Sequence, residues 1–371
     1  MDKTPDTKSK QSNWFSDIPA ILWTIGLGAV GGYLFHLWRM PLAWMIGSMC
    51  ITTVLALAGL PLRGSRRLRN VVIPVLGLML GSAFTPDAVG KAGLWLPSLS
   101  ALIVFMAVTM SAVFWFFYRV VGVGAISSYF SATPGGLATM TIVAQDFGAD
   151  ERTVALIHSV RILLTVMIIP LWFKLFAGYE PGTVTMLGTF SDIGFKEAVI
   201  LALCAVTGYV AAYYARLPSP FLLGPLIATA VVHLTGTASA KPPAEIVNIA
   251  QVIIGSGIGA RFSGVRLTRV FKVFGSATVS TAFMVGLAAG FAAVLHHVTG
   301  LPFESIWLCF APGGLAEMSL ISLALEIDPA MVSTHHLLRI ALMVFTAPIL
   351  FRLLRSRFQI EGDTRHPAHH R

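Results

Sequence analysis

Residues Ala132 to Met140 read Ala-Thr-Pro-Gly-Gly-Leu-Ala-Thr-Met, and residues Phe310 to Met318 read Phe-Ala-Pro-Gly-Gly-Leu-Ala-Glu-Met. Each stretch lies in the middle of an apolar segment with roughly ten residues on either side. Proline removes an amide donor, and glycine costs about 1 kcal/mol relative to alanine in a helix interior. In lipid no water is at hand for the backbone groups such a break frees, so protein or a water-lined cavity must satisfy them. The two stretches therefore predict interrupted helices or re-entrant hairpins at membrane depth.

Working outward, the chain of 371 residues is 56% hydrophobic and 12% charged, with mean hydropathy +0.77. Soluble domains average about 45–50% apolar and 25% charged. Apolar runs of about 20 residues, the length that crosses hydrocarbon, recur from Ile18 to Leu354 with short polar breaks. The expected fold is an all-α polytopic membrane protein with the lipid bilayer as its partner. The expected organisation is a cytoplasmic N-terminal tail (1–17), a first membrane repeat (18–178), a second membrane repeat (190–355) and a cytoplasmic C-terminal tail (356–371). The formal charge of +9 reads as topology, because Lys and Arg fall beside apolar segments, where the positive-inside bias puts them; direct nucleic-acid binding is not expected. Cys50, Cys204 and Cys309 are isolated within apolar segments, which argues for inert thiols rather than a disulfide framework.

The two Pro-Gly-Gly stretches belong to a longer self-match. Pro41 and Gly47 correspond to Pro218 and Gly224 (218 − 41 = 177), and Asn70, Gly77, Gly81 and Phe84 to Asn248, Gly255, Gly259 and Phe262 (248 − 70 = 178). Pro134, Gly135, Gly136, Asp150, His158, Arg161 and Pro170 meet Pro312, Gly313, Gly314, Asp328, His336, Arg339 and Pro348 at the same offset of 178 (312 − 134). So many unusual residue types in register predict two homologous halves. If every segment of a half crosses, the halves are parallel; if the Pro-Gly-Gly segment dips in and returns, they are inverted. With a cytoplasmic N-terminus and re-entrant Pro-Gly-Gly segments, Arg63, Arg66, Arg67, Arg69, Arg261, Arg266, Arg269 and Lys272 all lie inside, which favours inversion. The short third segment of each half, with Pro74 in one copy, stays open as the re-entrant element. Gly77 and Gly81, repeated as Gly255 and Gly259, are small-xxx-small faces for close helix packing.

Residues after Pro134 and Pro312 can start half-helices whose positive ends point at the bilayer centre, an arrangement that suits an anion. The substrate-binding candidates are Pro134, Gly135, Gly136, Pro312, Gly313 and Gly314, with Arg161 and Arg339 and the histidines one helical turn before them, His158 and His336. A mid-membrane arginine must pair with an anion, a carboxylate or helix C-terminal carbonyls, and Glu317 is the candidate carboxylate for one of them. Glu317 stands where the first copy has Thr139, an asymmetry that suits a proton or sodium site. His335 and Gln145 are weaker candidates. The sequence holds no HExxH, P-loop, GxSxG or Cys/His zinc spacing, so no catalytic residue, metal ligand or cofactor is assigned and no enzyme is expected.

The doubled Pro-Gly-Gly-Leu-Ala-x-Met, each copy followed about twenty residues later by His-x-x-Arg, resembles the AbrB-duplication family of bacterial inner-membrane proteins over nearly the whole chain. The resemblance implies a multi-pass inner-membrane protein, and the charge placement puts both termini in the cytoplasm. The family is named for a regulator of gene expression, and some members carry the label ammonia monooxygenase. A copper monooxygenase would need a compact histidine cluster, and His158 and His336 are duplicated singles. The fold also looks similar to cation/proton antiporters and anion transporters built from inverted repeats with interrupted helices. The expected function is secondary transport of a small organic anion or weak acid coupled to protons or sodium. The alternatives are a membrane-embedded regulator that senses a metabolite and, third, a membrane monooxygenase. Whether the chain forms a homo-oligomer stays open.

Overall fold

The computed structural model describes residues 14–134, 137–178, 193–239, 241–265 and 267–363, and over these the chain is helical with no strand. The first half comprises α1 (Trp14–Leu37), α2 (Ala43–Leu57), α3 (Arg66–Gly81), the short α4 (Pro86–Gly90), α5 (Leu96–Trp115) with a π turn at Phe116–Val121, α6 (Ala125–Ala132), α7 (Leu137–Asp146) and α8 (Glu151–Phe176). The second comprises α9 (Phe195–Tyr214), α10 (Pro220–Leu234), α11 (Ala244–Gly259), α12 (Leu267–Thr299), α13 (Phe303–Phe310), α14 (Leu315–Ala324) and α15 (Pro329–Asp363). Among the described residues six helices are long and apolar enough to cross a membrane, carried by α1, α5, α8, α9, α12 and α15. Of these α8 is the most deeply buried. The helix α15 runs past 355 to Asp363, into the stretch expected to be a tail.

The Pro-Gly-Gly stretches do interrupt the helices: α6 stops at Ala132 and α7 starts at Leu137, while α13 stops at Phe310 and α14 starts at Leu315. By contrast α3 is continuous with Pro74 inside it, so the third segment of the first half is not the broken one. Corners recur as well. The left-handed residues Arg39, Leu42, Gly59, Gly122 and Gly148 have counterparts at Arg216, Ser219, Gly236, Gly300 and Glu326, offset by 177 or 178 (216 − 39, 326 − 148). Three of these ten positions place a long side chain, Arg39, Arg216 or Glu326, where φ is positive, a conformation that glycine adopts more cheaply.

Hydrogen bonds at the helix ends assign which elements share an end of the bundle. At the first end, the Arg63 amide donates to Thr24 Oγ1 at 3.0 Å, the Arg63 guanidinium pairs with Asp17, and Ser263 Oγ donates to the Leu60 carbonyl at 3.0 Å. The start of α1 and the loops after α2 and α11 therefore lie together. At the second end, Lys174 Nζ donates to the carbonyls of Trp38 (2.9 Å) and Arg39 (3.2 Å), tying the end of α8 to the corner between α1 and α2. Cysteines placed at Ser65 and Ser263 should consequently label from one side of the membrane and a cysteine at Arg39 from the other. Labelling of Ser65→Cys and Ser263→Cys from opposite sides would contradict this packing.

Each broken segment is a hairpin. Ser127 Oγ, at the start of α6, accepts from the Asp150 amide at 2.9 Å where α8 begins, and Phe130 stacks on Phe147 at 5.8 Å. Both ends of α6–α7 thus lie where α8 starts, opposite its Lys174 end, so this hairpin enters from the first end. In the other hairpin, Trp307 of α13 packs edge-on against Trp172 near the end of α8 at 4.8 Å, and Ser319 of α14 bonds Ser333 of α15 at 2.9 Å. The α13–α14 hairpin therefore enters from the second end. At 1.5 Å per residue its arms are about 12 and 15 Å long, half of a roughly 30 Å hydrocarbon layer.

Glycine sets the closest approaches. A Cβ on Gly77 or Gly81 would run into the carbonyls of Leu222 and Leu226, and one on Gly255 or Gly259 into those of Met45 and Met49. The numbering rises together in each pair, so α3 and α10 run in the same direction, as do α2 and α11.

Candidate ligand site at the hairpin tips

A helix that stops inside a bundle leaves its last carbonyls without partners, and both hairpins solve this with the same pair of side chains. At the first tip His158 Nε2 meets the Phe130 carbonyl at 2.9 Å, and Arg161 donates to the Thr133 carbonyl at 3.1 Å and to His158 Nδ1 at 2.7 Å. At the second, His336 Nε2 meets the Leu308 carbonyl at 2.9 Å, and Arg339 donates to the carbonyls of Ala311 (2.6 Å) and Gly313 and to His336 Nδ1 at 2.6 Å. The network decides the tautomer: a carbonyl can only accept and a guanidinium can only donate, so each histidine carries its proton on Nε2. His158, Arg161, His336 and Arg339 are all buried, with Arg339 1% exposed.

The sequence offered three partners for these arginines, and the structure selects backbone carbonyls. Glu317 is not an ion-pair partner of Arg339; among the described residues the ion pair found is Arg63–Asp17. Arg339 is held instead by the end of α13, whose broken backbone supplies carbonyls at hydrogen-bonding distance. Glu317 lies in the first turn of α14 and folds over Gly314, where an added Cβ would strike its carboxylate. An added Cβ on Gly313 would likewise strike Met318. Neither glycine has a positive φ, so both serve close approach rather than a special turn.

Of the remaining candidates, Pro134 follows α6 and Pro312 follows α13 outside any helix. Gly135 and Gly136, and the side chain of Thr139, lie outside the described residues. His335 is brought close but is already satisfied, by Ser98 Oγ at 2.9 Å and the Met331 carbonyl at 2.8 Å.

Among the described residues three buried polar atoms near the tips have no hydrogen-bond partner: Ser131 Oγ, Arg161 Nε and Arg339 Nε. Buried polar groups are nearly always paired, and orphans in one region mark room for water or a ligand. Ser131 escaped the sequence reading, since a serine in an apolar segment carries no signal of its own. Arg261 escaped it too. It counts as a loop arginine by position, but it is half-buried in a 3₁₀ turn between the buried Ala260 and Phe262 and lies within electrostatic range of His158 and Glu317.

Comparison with known proteins now bears on this site. A family model described as transition state regulatory protein AbrB matches residues 44–355. A Bacillus subtilis (strain 168) protein named "Uncharacterized protein YhjN" is 27% identical over 358 residues, covering 90% of this chain and 92% of that one. An Escherichia coli (strain K12) protein named "Putative regulator AbrB" is 24% identical over 319 residues, covering 86% of this chain and 91% of that one.

Proposed function

Starting from a chain that belongs to the AbrB family, we propose that this protein is a secondary transporter moving a small organic anion or weak acid, coupled to protons or sodium. The observation that carries the reading is the pair of hairpins entering from opposite ends, with orphaned buried donors where their tips lie. A site between two such tips is reachable from either side by small movements of one half against the other, which is what alternating access requires. The reading takes the chain as one unit present twice in opposite orientations. The recurrent left-handed corners support this, and so does the parallel packing of α3 on α10. Because α2 and α3 are successive crossings, a parallel duplication would set α3 and α10 antiparallel.

In this reading the amides after Pro134 and Pro312, with the free Nε–H groups of Arg161 and Arg339, receive the anion. Glu317, whose counterpart in the repeat is Thr139, handles the coupling ion, and the solute passes without chemical change. The first end carries Arg63, Arg66, Arg67, Arg69, Arg119, Arg152, Arg216 and Arg261, and the second Arg39, Lys91, Lys174, Lys196 and Lys241. The positive-inside bias makes the first end, with both termini, cytoplasmic in a bacterial inner membrane. The names of the family and of the Escherichia coli relative favour a second reading, a membrane-embedded sensor that binds a metabolite without moving it.

Flux separates the two. Purified protein in sealed vesicles should accumulate a labelled carboxylate when an inward proton or sodium gradient is imposed, and collapse of the gradient should release it. Binding without accumulation under either gradient would remove the transporter and leave the sensor.

A further inference from the structure

Arg161 and Arg339 spend their terminal nitrogens on carbonyls and histidines, which leaves the question of what neutralises an incoming anion. One more arginine lies deep enough to do so. Arg261 occupies the 3₁₀ turn that ends α11, between the buried residues Ala260 and Phe262, and this turn packs against α2 and α8. It is half-buried. Among the described residues its guanidinium has no hydrogen-bond or ion-pair partner, although it carries five N–H donors.

Its charged surroundings come from two other elements. Arg66 and Arg69 approach it from the first turn of α3, and Glu317 from the first turn of α14. The helix α14 packs against both α3 and α8, so the cluster lies beside the second hairpin tip. The half-buried Arg261 and Arg69 and the exposed Arg66 lie within electrostatic range of one carboxylate, and that carboxylate makes no ion-pair contact among the described residues. An uncompensated cluster of this kind is matched by an anion carrying more than one charge, held by the planar fork of arginine.

We propose that Arg261, with Arg66 and Arg69, binds a small polyvalent oxyanion, a dicarboxylate or a phosphate, and that Glu317 is the resident carboxylate which the anion displaces. The proposal deepens the transporter reading by naming the ligand class and a binding residue outside the tips. The cluster lies toward the first end, where lipid headgroups also sit, so the oxyanion comes either from solution or from an acidic lipid.

The test uses the full chain in phosphatidylcholine nanodiscs, titrated with succinate or inorganic phosphate and read by calorimetry and thermal shift. A parallel arm uses nanodiscs containing cardiolipin and no added solute. Arg261→Gln should weaken binding about tenfold or more, while Arg66→Gln and Arg69→Gln should each weaken it a few-fold and flatten its salt dependence. Glu317→Gln should strengthen binding several-fold, because the competing carboxylate is gone; this gain tests the idea even if Arg261→Gln fails to fold. Stabilisation by cardiolipin alone, lost in Arg261→Gln, would identify the oxyanion as a headgroup. Absence of binding in both arms, unchanged affinity in Arg261→Gln, or weaker binding in Glu317→Gln would overturn the proposal. Vesicle accumulation that persists while these variants change nothing would discard this site and keep the transporter; oxyanion binding without accumulation would do the reverse.

Discussion

Arg339→Gln should lower the stability of the purified protein by about 3–5 kcal/mol, seen as a large drop in its thermal unfolding midpoint and a loss of folded yield. The side chain is 1% exposed and donates to Ala311 and Gly313 while receiving support from His336. Removing the guanidinium leaves the Ala311 and Gly313 carbonyls without their donor, and each buried unsatisfied group costs about 1–3 kcal/mol. Lysine should not rescue, since a point charge on a flexible stem cannot span both carbonyls and the imidazole. Arg161→Gln should be milder, because Arg161 holds a single described carbonyl, that of Thr133. A variant at Arg339 that melts with the wild type would show that the clamp contributes nothing to the hairpin.

The second large effect is expected at the crossing of α1 and α2. A Cβ on Gly47 would fall against the backbone of Gly31 and Gly32, and one on Gly224 against the backbone of Gly208 and Tyr209. Side chains can rotate away from a new methyl group; backbone in two packed helices cannot, so the whole contact must open. Gly47→Val and Gly224→Val should each cost about 3 kcal/mol or more, at the upper end for overpacking. Gly286→Ala and Gly290→Ala on α12 are the controls. Nothing lies within 4 Å of a Cβ at either place, and alanine favours the helix, so these should be neutral or slightly stabilising. Equal melting of Gly47→Val and Gly286→Ala would refute the contact as the reason for the glycine.

These two predictions rest on different kinds of information. Gly47 and Gly224 were visible in the linear chain as matching positions of the self-match, but their partners Gly31 and Gly208 were not, because a repeated glycine does not state what approaches it. The arginines were visible as costly residues at membrane depth. Their spacing from histidine placed both on one helix face, yet carboxylate, anion and carbonyl partners all satisfied the same requirement. Glu317 was the natural choice on charge alone. The fold decided otherwise because the chain ends of α6 and α13 bring unpaired carbonyls to the guanidinium groups, while Glu317 turns toward Gly314 and the Arg261 side.

The amino-acid sequence by itself determined the membrane class, the position of both helix breaks and the recurrence of motifs across the two halves. Hydropathy, proline and glycine act through the local backbone, so a linear reading registers them fully. Tertiary structure alone decided the ends from which the hairpins enter, the carbonyls that hold Arg161 and Arg339, and the gathering of Arg66, Arg69, Arg261 and Glu317. Those outcomes depend on which groups from distant segments come within a few ångströms of one another. Coulomb and hydrogen-bond energies fall off over that same distance, and no pattern along the chain encodes it.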